Sequence, residues 1–196
     1  MGFPRVVLAT AVSLLLTIPA HAEQPIKGAF GINLGDRLPP SIVDDGISSS
    51  DKADGYVEVF VDPPEPNNLF YSYQVTVEKN SSRVTKIFSR GIIDGKEQCQ
   101  TKLGDLSQFL SNKYGGTIDR RVLESKGLET SIAVIDPPHS PVFIVVSCGE
   151  TDTVDNGVYE KGIFDGDDET TYLLMLTYSF KSPTRPTKTT IDPSGL

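Results

Sequence analysis

Histidine is nearly absent from this 196-residue chain, which holds only His21 and His139. His21 falls in a leader segment, so the remainder has His139 alone. That excludes a multi-histidine metal site and leaves any Ser-His or Cys-His pair dependent on one residue. Cysteine is equally scarce, with Cys99 and Cys148 the whole set. Positive charge is outnumbered: 18 Lys and Arg stand against 26 Asp and Glu, for a net charge of −8. An acidic surface repels phosphate backbones and anionic lipid, which disfavours nucleic acid and charged membranes and points to a basic or neutral partner.

Long apolar runs are missing as well. The longest, "VVLATAVSLLLTI" from Val6 to Ile18, is interrupted by Pro19 and falls short of the roughly 20 residues that span a bilayer. Arg5 supplies a positive start and Ala20-His21-Ala22 a small-x-small cleavage pattern. Residues 1–22 therefore read as a cleaved secretory signal, with no membrane insertion. Residue 23 is Glu rather than the lipid-modified Cys of a lipoprotein. The expected location is periplasmic or secreted. Cleavage leaves 174 residues with a net charge of −9, enough for one domain with a real core. Export would place both cysteines where oxidation is the default, so a Cys99–Cys148 disulfide is the leading reading. Closing a loop of about 50 residues contributes roughly 4 kcal/mol in the chain-entropy view. A reactive thiol ranks below it, because it needs an activating base and a reason for the second Cys to stay free.

What the chain does contain is strand patterning. In "YVEVFV" (56–61) Val57, Val59 and Val61 share a side; in "FYSYQVTV" (70–77) Tyr71, Tyr73, Val75 and Val77 oppose Phe70, Ser72, Gln74 and Thr76. "RVTKIFSRGII" (83–93) has strand composition but a less regular period, which predicts a bulge or an edge position. After Asp94-Gly95 the period changes. Cys99, Leu103, Leu106, Leu110 and Tyr114 recur at helical spacing, and Gly115-Gly116 supplies a stop. "SIAVI" (131–135), "VFIVVSC" (142–148) and "TYLLMLTYSF" (171–180) complete the strands, the last apolar on both sides and so central. The fold class is α+β: a mostly antiparallel sheet, one principal helix and one disulfide pinning helix to sheet. One domain is expected over 23–180, followed by an extended or disordered tail over 181–196.

Two Asp-Pro-Pro stretches, beginning at Asp62 and Asp136, each separate a β-branched run from an aromatic-led one. Proline fixes φ and removes a donor, so each reads as a hairpin connection. A helix candidate precedes each copy, which suggests two tandem helix-plus-strands units over 23–93 and 94–180. The opening "GAFGINLGD", "FVDPPEPNNLFYSYQVTV", "LSNKYGG" and the closing "DPSGL" resemble a group of uncharacterised exported bacterial α+β proteins with an FGI-x-LG opening. The resemblance implies a location and a fold style without an activity. More distantly, helix-plus-antiparallel-sheet repeats with a disulfide are similar to secreted inhibitor and outer-membrane assembly modules, including the β-lactamase-inhibitor-protein type; this is fold-level likeness.

Chemistry-bearing residues are few. His139 lies in the "PPHSP" turn, where an exposed turn histidine is the commoner role. "DGDDE" (165–169) offers oxygen ligands but misses the EF-hand pattern, with Thr170 and Leu176 where Gly and Glu are required, so no metal or cofactor is assigned. "GAFGINLG" is not a dinucleotide fingerprint. The binding candidates are Asn67, Asn68 and Phe70 beside the first proline turn, together with His139; Phe70 shares its side with Ser72 and Gln74, whereas Tyr71 and Tyr73 read as core. The leading expectation is a non-enzymatic exported protein, an inhibitor or immunity-type factor, that binds another envelope or secreted protein. A carboxylate-dependent hydrolase and a structural accessory of the cell envelope are the alternatives.

Overall fold

The computed structural model describes residues 25–43, 50–51, 55–125, 127–150 and 171–181. The leader over 1–22, the acidic stretch over 165–169 and the tail beyond Lys181 lie outside the described residues. The chain opens with a small hairpin, β1 (Gly28–Ala29) and β2 (Ile32–Asn33), then a 3₁₀ turn at Pro40–Ile42. β3 (Ser50–Asp51), β4 (Tyr56–Phe60), β5 (Ser72–Glu78) and β6 (Val84–Asp94) follow. The helix α1 (Lys96–Tyr114) leads to β7 (Thr117–Ser125), β8 (Leu128–Asp136), β9 (Val142–Glu150) and β10 (Thr171–Phe180). The α+β class read from the sequence is the class observed.

β3 to β10 form one sheet in the order β3-β4-β5-β6-β10-β9-β8-β7, and every neighbouring pair is antiparallel. Two four-stranded meanders thus meet through their last strands, β6 and β10. Each Asp-Pro-Pro joins the second strand of its meander to the third, β4 to β5 and β8 to β9. β10 is central, as its two-sided apolar pattern predicts. β6 is central too, which removes the edge alternative, but the predicted irregularity is there: Thr76 pairs with Lys86 and Val77 with Val84, so Thr85 is the extra residue of a bulge.

Period-two alternation assigns one face of the sheet to the core. Tyr73, Val75, Val77, Ile87, Leu174, Leu176, Val142, Ile144, Val146, Ala133 and Ile135 are buried on it. α1 covers the β6–β7 side of this face, while Ile26, Phe30, Ile32, Leu34 and Leu38 of the N-terminal segment complete the same apolar cluster. α1 forms where the sequence reading placed it, with Cys99, Leu103, Leu110 and Tyr114 buried. Ser107 is buried as well, its hydroxyl donating to the Leu103 carbonyl at 2.6 Å, whereas Leu106 is half-buried. Gly115 ends the helix at φ 70°, a left-handed cap that favours glycine. Cys99 and Cys148 are bridged with Cα atoms 5.9 Å apart, inside the range a disulfide spans without backbone movement.

One assignment fails at the start of β5. Phe70 is buried at 7 % exposure and Tyr71 is 48 % exposed, the reverse of the predicted alternation. The strand begins at Ser72, and Phe70 still belongs to the turn. There its ring meets Phe30 edge-on at 5.7 Å and Tyr73 at 6.4 Å.

Candidate binding face

The predicted candidates fall into two groups at opposite ends of the sheet. Asn67, Asn68 and Phe70 lie in the β4–β5 connection, which leaves β5 where Ser72 pairs with Arg90. His139 lies in the β8–β9 connection, beside Val142 and its partner Phe180 at the far end of β10. Asn67 is a structural residue: its Oδ1 accepts from the Leu69 N–H at 2.9 Å. Its own N–H and carbonyl both engage the Tyr73 hydroxyl, at 2.7 and 2.8 Å. Asn68 and His139 are exposed at the tips of their turns. Ser140 braces the His139 turn by accepting from the Val142 N–H at 3.0 Å, and Lys181 ties it down through the Pro137 carbonyl at 3.0 Å. Phe70, buried among aromatics, is not available as a contact residue.

A cavity of about 710 Å³ opens between the β1–β2 hairpin and the C-terminal end of α1. Lys27, Asn33, Glu65, Lys113, Tyr114 and Tyr178 contribute its polar side chains. Glu65 is the one carboxylate in that lining, so the pair of converging acids that a carboxylate-dependent hydrolase needs is not assembled there. Among the described residues, no three His, Cys, Asp or Glu side chains converge as metal ligands.

The larger feature is the other face of the sheet. α1 and the N-terminal segment pack on the core face, and no described helix or strand packs on the outer one. By register, Phe60, Gln74, Phe88 and Thr177 form a row across it, with Met175 beside Arg90 and Phe143 beside Ser179. At its centre Lys86, Phe88 and Arg90 project together from β6. The Arg90 guanidinium lies 4.9 Å and the Lys86 ammonium 5.7 Å from the Phe88 ring centroid. Neither cation has a carboxylate partner among the described residues. A ring held between two cations can bury apolar area and offer charge-assisted hydrogen bonds at the same point. Sequence reasoning missed this trio. Its signal is "KIFSR", in which the spacing i, i+2, i+4 puts Lys, Phe and Arg on one side of a strand.

No protein family, curated protein or solved structure matches the chain.

Proposed function

We propose that this protein is an exported, non-enzymatic binding protein that engages another protein through the outer face of its sheet. The observation that carries the reading is Phe88 held between Lys86 and Arg90 in a row whose other members, Phe60, Gln74 and Thr177, are uncharged. Aromatic and arginine side chains are the residues that dominate binding energy at protein interfaces. The net charge of −8 does not oppose a carboxylate at this point, because fields are screened beyond about 8 Å at physiological salt and contact chemistry is local. The partner segment that fits is an apolar loop or strand carrying an acidic side chain. Export agrees with the disulfide, which oxidising compartments sustain.

The test is affinity capture from the exporting cell's envelope and secreted fractions with the wild-type chain and with Phe88→Ala and Arg90→Glu variants. Expected is a protein retained by the wild type and lost by both variants, whose unfolding midpoints stay close to that of the wild type. Equal retention by all three overturns the reading. So does a chain that retains no protein while a small molecule raises its melting temperature.

A further inference from the structure

The sheet ends at β7, a nine-residue strand with no neighbour beyond it among the described residues. The opposite edge, β3, is two residues long. Natural edges are protected by shortness, proline, bulges or charged side chains; β7 ("TIDRRVLES") is long, free of proline and paired with β8 without a shift over its whole length, and its only protection is charge, of both signs. Val122 and Leu123 stand on it 59 % and 52 % exposed, beside exposed Arg120, Arg121 and Glu124.

The direction of its free backbone groups follows from the hairpin. β7 and β8 are joined across two residues with Ser125 opposite Leu128, and the closing pair of such a hairpin is hydrogen-bonded. Odd-numbered residues of β7 therefore bond to β8. The N–H and C=O groups of Ile118, Arg120, Val122 and Glu124 point outward.

We propose that β7 pairs antiparallel with β7 of a second copy of this chain, about a two-fold axis through Val122. In that register the outward groups of Arg120, Val122 and Glu124 meet those of the other strand. Arg120 then stands opposite Glu124 of the partner subunit, and symmetry makes the same pair twice. The two Val122 side chains face each other, and Leu123 lies against the stem of Arg121 of the partner subunit. Moving the axis to Arg121 sets that arginine against its own copy with no opposite-charge pair; moving it to Arg120 does the same and offers only Asp119 against Arg121, which already pair within each strand; moving it to Leu123 loses both Arg–Glu pairs. Opposite charges across strands are favourable and like charges unfavourable, so sequence complementarity selects the register as well as the partner. The two sheets join edge to edge, which places two outer faces side by side. This inference stands independently of the function proposed for those faces.

Sedimentation velocity from micromolar to sub-millimolar concentration tests it. The wild-type chain is expected to form a concentration-dependent dimer. Arg120→Glu, which sets Glu against Glu at both pairs, is expected to weaken it roughly tenfold, and the swap Arg120→Glu with Glu124→Arg to restore it. A Val122→Cys chain should cross-link to itself on oxidation, and a Phe109→Cys chain, altered on the outer surface of α1, should not. A chain that stays monomeric throughout the range overturns the proposal, as does a dimer that Arg120→Glu leaves unchanged.

Discussion

Tyr178 projects from β10 into the core face and is 4 % exposed. Burial, followed by the charge and hydrogen bond of Tyr114, pushes its hydroxyl above the ordinary tyrosine value of about 10. The sign of the consequence is fixed: a group whose pKa is raised on folding contributes fully below the unfolded value, and stability falls as pH climbs past it, because the unfolded chain ionises first. Urea midpoints should therefore be insensitive to this residue from pH 7 to about 9 and decline from about pH 10 upward. A Tyr178→Phe chain should decline less steeply over the alkaline range, whatever the change in its neutral midpoint. Parallel alkaline declines in the two chains would remove Tyr178 as the cause. At this scale the sequence is legible where a side chain sits inside a regular strand, as Val75, Val77, Ile144 and Val146 do. It is not legible at Phe70 and Tyr71, which precede the strand's first residue, Ser72, so that strand alternation does not govern them. Gly91 shows why the turn closes as it does: an added Cβ there would stand 2.0 Å from the Leu69 carbonyl oxygen, so the loop rests on bare backbone. No periodicity reports such a contact.

Among elements, α1 was the most legible, because five apolar positions at helical spacing and a glycine stop identify both its inner stripe and its end. The Cys99–Cys148 bridge then ties the first turn of α1 to β9, where Ser131 and Leu174 flank Cys148 in the register. It closes a separation of 49 residues around β7 and β8, so its loss frees the helix and three strands together in the unfolded ensemble. Reduction should lower stability by roughly 2 to 5 kcal/mol, the usual effect in a small exported domain. Chemical denaturation with and without reductant measures it, and thiol titration of the unreduced, denatured chain should detect no free cysteine. Two titratable thiols, or an unchanged midpoint, would contradict this. The outer face was harder to read than the helix. Its row across β4, β5, β6 and β10 joins residues far apart in the chain, and only the strand order, set by the meeting of β6 with β10, puts them side by side.

For the whole molecule the β6–β10 seam decides whether two halves behave as one. The meanders β3–β6 and β7–β10 each carry an Asp-Pro-Pro connection at the same place in their order, so each resembles a separable unit. The packing says otherwise. β6 and β10 pair over nine successive positions from Lys86 to Asp94, and one apolar cluster runs from Val61 and Val75 through Ile87 and Leu174 to Ile135 and Ile144. Cutting at the seam would leave a long central strand as a bare edge on each half and open the core of both. Leu174 tests this directly: it is fully buried, between Gly91 of β6 and Cys148 of β9. Leu174→Ala should cost about 2 to 5 kcal/mol through lost burial and the cavity left behind. Native-state hydrogen exchange resolves where that loss is felt. If the seam makes the halves cooperative, amides of β5 and of β8 should lose protection by the same amount, since both then exchange through one global opening. A loss confined to β8 and β9, with β5 unchanged, would show two units that fold independently and meet only by contact.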